Sequence, residues 1–185
     1  MEGSGALGCG GHFFLRGRSM CRKIILGVAA ILLMSAAVPV FAKDTADEAQ
    51  IRKLLTDWAQ GMHDRNITKI MAIYDRNVVA YDIVPPLQRT GYAAYRKDYE
   101  EYLAQYKGPI DVTYRDLTIA ASGDVGFAFM LERDVGVMKD GTRSDLWQRV
   151  TSCFRKIGGR WVAVHDHVSV PTDFATGKSQ LALRP

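Results

Sequence analysis

Residues 109–171 are almost entirely strand grammar, and this constrains the fold more than any other feature of the chain. Runs rich in β-branched and aromatic residues at 110–121, 125–138, 143–156 and 161–170 are separated only by Ser122-Gly123-Asp124, Lys139-Asp140-Gly141 and Gly158-Gly159. Glycine and short polar residues are what tight hairpins demand, so the four runs form an antiparallel meander. Such a sheet has an apolar face to cover, and the preceding residues supply the cover. Residues 47–63 hold Ile51, Leu54, Leu55, Trp58, Ala59 and Met62 at helical spacing. Asn66 can cap a short second helix with Ile67, Ile70, Met71 and Tyr74 on its apolar face. Residues 90–106 read as a third helix, stopped by Gly108-Pro109. Between these helices, 77–81 is a short β-rich run ended by Ile83-Val84-Pro85-Pro86. Helices first and a meander afterwards define an α+β domain with the helices on one face of the sheet.

The first 42 residues are of a different kind. Arg22 and Lys23 precede an apolar run from Ile24 to Ala37 interrupted only by Gly27 and Ser35, and Val40-Phe41-Ala42 offers small residues before a cut. This is the pattern of a bacterial secretory signal, too short for a membrane span of roughly 20 residues. We expect translation from Met20, cleavage after Ala42, a domain over 43–185, and a periplasmic or secreted location with no membrane attachment after cleavage. Composition enters through the net charge of +4, which on a small chain raises the question of nucleic acid. Arg16, Arg18, Arg22 and Lys23 lie in the leader, so the remainder is nearly neutral and no nucleic-acid partner is expected. Cys9 and Cys21 also precede Ala42, which leaves Cys153 without an internal disulfide partner. There is no P-loop, no dinucleotide fingerprint and no serine elbow, so no cofactor is implied.

Hairpin register indicates which side chains share a face. Centring one turn on Asp140-Gly141 sets Glu132 opposite Arg149, and centring the next on Gly158-Gly159 sets Thr151 opposite Asp166. By period-two alternation Glu132, Trp147, Arg149, Thr151, Cys153, Val164, Asp166 and Val168 then share one face. Phe129, Leu131, Leu146, Val150, Phe154, Trp161, His165 and His167 take the other. Large apolar groups on both faces mean that one packs under the helices and the other meets a second copy of the chain. A single bulge would exchange the faces. The triplet His165-Asp166-His167 lacks a third ligand in sequence, so no metal is assigned.

The segments Gly108-Pro109-Ile110, Lys139-Asp140-Gly141, Asp145 through Thr151, Gly159-Arg160-Trp161 and His165 through Pro171 resemble SnoaL-like proteins of the nuclear transport factor 2-like superfamily. The resemblance implies a curved sheet wrapped by three N-terminal helices into a cone, a cystatin-like roll, commonly homodimeric through the outer sheet face. It also implies activities that range from ketosteroid isomerase and polyketide cyclase to non-catalytic binding. Tyr74, Asp82, Pro85-Pro86 and Thr90-Gly91 are similar in spacing to the isomerase segment that carries its general base, which falls on Asp82. The isomerase's oxyanion donors fall on Trp58 and Thr151. Expected catalytic residues are therefore Asp82 and Asp166. Trp58, Met62, Tyr99, Glu132, Trp147, Arg149 and Thr151 are expected to contact a small hydrophobic, oxygenated ligand.

Two functions stand at this point: cofactor-free acid/base isomerisation or cyclisation, and a non-catalytic exported module that binds a ligand or a protein through the same pocket. Export itself is checked by N-terminal sequencing of the protein recovered from the periplasm or medium of a producing bacterium. The sequence should begin at Lys43, and recovery of an uncleaved start would contradict the leader.

Overall fold

The computed structural model describes residues 44–185, so the leader and its cut at Ala42 lie outside the described residues. The element order is α1 (Ala46–His63), α2 (Ile67–Met71), β1 (Tyr74–Tyr81), β2 (Arg89–Thr90), α3 (Tyr92–Ala104), β3 (Tyr106–Ser122), β4 (Val125–Met138), β5 (Arg143–Ile157), β6 (Arg160–Ser169), β7 (Thr172–Asp173) and β8 (Lys178–Ser179). Among these, no helix is long and apolar enough to cross a membrane.

Helix α1 starts where Thr45 and Glu48 form a reciprocal capping box, which satisfies two of the otherwise orphaned amide donors. Its buried stripe is Ile51, Leu55, Trp58 and Met62, each one helical turn from the next. Asn66 accepts from the Lys69 amide and starts α2. Helix α3 is shorter than expected, ending at Ala104, because Tyr106 already joins the sheet beside Met138. Gly108-Pro109 consequently lies inside β3 instead of ending a helix. Proline is tolerated there because β3 is an edge strand with a free donor side.

The main sheet has the order β2-β1-β6-β5-β4-β3. All its pairings are antiparallel except one: β1 runs parallel to β6. The expected sheet was antiparallel throughout, and the parallel pair arises because the chain crosses the whole domain between the two strands. Register shifts in β3 around Tyr106/Ile110 and Arg115/Thr118, and in β5–β6 at Cys153/Phe154, bend the sheet. The helices fill the concave side, where Ile51, Met62, Ile70, Met71, Tyr95, Ile110 and Phe154 are almost wholly buried.

Two turns set the faces. Gly158-Gly159 is a two-residue loop with both φ angles positive, 57° and 77°, so Ile157 faces Arg160 as the centring on these glycines requires. The β4–β5 loop instead contains three residues: Gly141 (φ 95°) donates to the Met138 carbonyl, and Val137 faces Arg143. That odd loop places Glu132 opposite Gln148 instead of Arg149, and every side chain of β5 changes face. Beyond Cys153/Phe154 the bulge at Val164 shifts β6 by one more residue, so Ser152, not Thr151, faces Asp166. The two offsets cancel for β6. Glu132 and Asp166 both point to the concave side, while Trp147, Arg149 and Thr151 are carried to the convex side and Leu146, Val150, Phe154 and Trp161 to the concave one.

Gly61 marks the tightest helix contact, since a β-carbon there would lie 2.9 Å from the Ile70 amide nitrogen. Alanine would gain about 1 kcal/mol of helix propensity, whereas forcing backbones apart costs about 1–3 kcal/mol. Gly61→Ala should therefore lower the urea midpoint, with a net loss of up to about 2 kcal/mol and an unchanged m-value.

Candidate active site

The concave face carries three cross-strand rows that build the floor of one cavity. The first is Tyr114–Glu132–Gln148, the second Met130–Val150–Val168, and the third Ala128–Ser152–Asp166–Ala80. Helices α1 and α3 close it from above with Trp58, Met62, Tyr95, Tyr99 and Tyr102, leaving about 300 Å3 of space. A cavity of this size suits a small molecule, with apolar and aromatic walls and a few polar groups to orient it.

At one end Asp166 is 4% exposed and is held by a tyrosine cluster. The Tyr74 hydroxyl donates to Asp166 Oδ2 at 2.7 Å and that of Tyr95 at 3.3 Å, while Tyr99 bonds to both tyrosines at 2.8 and 3.3 Å. The spacing Tyr95/Tyr99 is one helical turn, which is why two hydroxyls of α3 converge. Asp166 Oδ1 has no protein hydrogen-bond partner in acceptable geometry, although the Ser152 hydroxyl lies across the strand pair. Burial pushes the Asp166 carboxyl up, against the pull of the Ser152 and tyrosine hydroxyls. When Asp166 is protonated, Oδ2 is occupied by two tyrosine hydrogens, so the proton belongs on Oδ1. The group is then a hydrogen-bond donor.

A second group of acids occupies the Glu132 row. Gln148 Nε2 donates to Glu132 Oε1 at 2.8 Å and more weakly to Asp134 Oδ2 at 3.4 Å, and Tyr102 donates to Asp134 Oδ2 at 3.1 Å. Among the described residues no cationic side chain pairs with either acid. Burial first, and then their mutual repulsion, pushes Glu132 up, and burial raises Asp134 against the Tyr102 hydrogen bond. Asp134 Oδ1 and Trp58 Nε1 are buried without partners.

Asp82 follows β1 and accepts from the Ile83 amide at 2.6 Å. It borders the cavity and also a shallower groove with Leu87, Gln88 and His167, so it stands at the mouth. Burial moves its pKa up to about 6, with Asp98 and Asp166 adding to the rise and the Ile83 amide and Arg89 opposing it. Arg89 is itself held by Asp98 in a mostly buried ion pair.

Of the residues proposed from sequence, Asp82, Asp166, Trp58, Met62, Tyr99 and Glu132 line this cavity. Trp147, Arg149 and Thr151 do not. Trp147 lies under the Arg133 guanidinium on the convex face, and Arg149 and Thr151 are exposed, for the register reason given above. Arg149 thus cannot bridge the carboxylates, and the isomerase-like donor position on Thr151 is outside the cavity. His165 and His167 lie against the Tyr81 ring on the convex side. Among the described residues no three side chains form a metal-ligand group. Asp134, Gln148 and Ser152 line the cavity and were missed by sequence reasoning. Glu132 and Asp134 are two apart on one strand, which was a readable signal for a shared face, whereas Gln148 and Ser152 were hidden by the register.

A profile described as a SnoaL-like domain matches residues 51–173. A nuclear transport factor 2-like protein of unknown function from Pseudomonas putida KT2440 is 34% identical, over 78% of this chain and 100% of that one, with a TM-score of 0.70. A nuclear transport factor 2-like superfamily protein from Salmonella enterica (15% identity, 72% and 96% covered, TM-score 0.62) has the same fold. So does a ketosteroid isomerase-like protein from Erwinia carotovora atroseptica (15% identity, 68% and 97% covered, TM-score 0.59). None of the curated proteins compared with the chain matches it. With its cavity, its sheet order and a profile match over most of the described residues, this chain belongs to the SnoaL-like family of the nuclear transport factor 2-like superfamily.

Proposed function

We propose that the cavity binds a small hydrophobic, oxygenated molecule and moves a proton on it without a cofactor. The observation that supports this most directly is that Asp82 and Asp166 line one water-poor space, Asp82 at its mouth and Asp166 enclosed beneath tyrosine hydroxyls. Asp82, at the mouth and ionised above about pH 6, takes a proton from a carbon beside a ligand carbonyl. Asp166, protonated on Oδ1, donates to the oxygen on which negative charge develops, and the Tyr74, Tyr95 and Tyr99 hydroxyls stabilise the carboxylate end of that hydrogen bond. Asp82 then returns the proton to a different carbon, which completes an isomerisation with no net proton consumed. The likeness to a ketosteroid isomerase-like protein agrees with this chemistry.

The same proposal places the protein outside the cytoplasm as a homodimer. Phe127 and Phe129 stack on the convex face and are 43% and 46% exposed, which is a large apolar area to leave in water.

Proton transfer is tested with cyclohex-3-enone, whose conversion to the conjugated isomer is followed by ultraviolet absorbance. Asp82→Asn should lower kcat/KM by roughly 100- to 10,000-fold, and full turnover by this variant would remove Asp82 as the base. The wild-type rate should fall as pH drops through about 6, because protonation removes the base. Stability should move oppositely. A carboxyl with a raised folded pKa favours the native state below its unfolded value and loses that contribution as pH rises through the folded one, so Asp82→Asn should raise Tm above pH 6 and leave it unchanged below pH 4. Association is checked by sedimentation equilibrium: the wild type should be dimeric and Phe127→Glu shifted toward monomer.

A further inference from the structure

The charge balance of the cavity bears on the charge of its ligand. Asp82, Asp98, Glu101, Glu132, Asp134 and Asp166 all line it, whereas among the described residues Arg89 is its one basic side chain and is held by Asp98. No lysine or histidine among the described residues borders the space. A carboxylate or phosphate ligand would be desolvated among like charges with no free cation to meet it, and this excludes anions as occupants. The unpartnered groups add direction. Asp134 Oδ1 belongs to a side chain only 3% exposed and accepts nothing from the protein, although its other oxygen takes the Tyr102 and Gln148 donors. Such an oxygen is an open acceptor on the cavity wall for a ligand donor.

A neutral hydroxyl could supply the hydrogen, but it offers no counter-charge that would let Glu132 and Asp134, both raised by burial, ionise. A cation satisfies both, because a hydrogen bond between charged partners in a dry site is about twice as strong as a neutral one. The walls suit a cation as well. Tyr102 donates to Asp134 and Tyr114 adjoins Glu132 across the β3–β4 pair, so aromatic rings flank both acids.

We propose that the ligand is a hydrophobic amine whose ammonium group sits against Asp134 and Glu132 while its apolar body lies along Trp58 and Tyr99. This rests on the cavity being the ligand site of the proposed function, and it adds the charge class of the substrate. The ammonium end marks the fixed pole of the ligand, and the Asp82–Asp166 pair acts on its other part.

The test is calorimetric titration of the full mature chain with three probes that share one indole body: tryptamine, tryptophol and indole-3-acetate. Tryptamine should bind at least about tenfold more tightly than tryptophol at pH 8, and indole-3-acetate should not bind. Asp134→Asn and, separately, Glu132→Gln should reduce the ratio of tryptamine to tryptophol affinity at least about tenfold. Equal affinity for tryptamine and tryptophol, binding of the acid, binding of none, or an advantage untouched by both variants overturns the proposal. The wild-type comparison decides even if neither variant folds. Loss of the amine preference with enone turnover intact would leave the proton-transfer reading standing, and the reverse pattern would leave this one.

Discussion

Carboxyl groups buried under tyrosine hydroxyls, with no free cation beside them among the described residues, set the character of this cavity. An isolated carboxylate is too costly to bury as a charge, so burial moves the pKa values of Asp82, Glu132, Asp134 and Asp166 upward, and Asp134 and Asp166 have also gained hydroxyl donors. Tyrosine does both structural jobs at once: its ring fills the space between α3 and the sheet, and its hydroxyl reaches the acid beneath. Tyr74, Tyr95 and Tyr99 treat Asp166 in this way, and Tyr102 treats Asp134. Raised carboxyl pKa values mean that the arrangement costs stability as pH rises through them.

The chemistry proposed for the cavity follows from unequal environments for equivalent groups. Asp82 at the mouth keeps some water and accepts a backbone amide. Asp166 beneath the tyrosines is enclosed, and burial raises its pKa against the pull of the hydroxyl donors. The proposed base and acid thus differ in enclosure and in hydrogen-bond partners. The Glu132–Asp134 pair, unused in that step, offers a third polar region with a free oxygen, and its location in the same space allows a ligand to be held at one end and altered at the other.

Access of side chains to this cavity depends on two single-residue offsets. The three-residue loop at Lys139–Gly141 turns Gln148, Val150 and Ser152 inward and Trp147, Arg149 and Thr151 outward. The bulge at Val164 restores Asp166 to the concave side. Had only one offset been present, Asp166 would have faced the convex surface and His165 and His167 the cavity, with entirely different titration behaviour.

Much of the fold could be read directly from residues. The helical stripe of Ile51, Leu55, Trp58 and Met62, the four strands, the glycine turns and the succession of helices before sheet are local patterns, and locality is what a sequence records. Asp82 before Pro85-Pro86 was legible for the same reason. Loop type, bulge position and the parallel pairing of β1 with β6 were not legible. They are settled by contacts between residues far apart in the chain, and a shift of one residue reverses every side chain beyond it. The sequence alone determined that acids, tyrosines and a sheet would be present; only the tertiary structure decided which acids share a dry space and which of them lack a partner there.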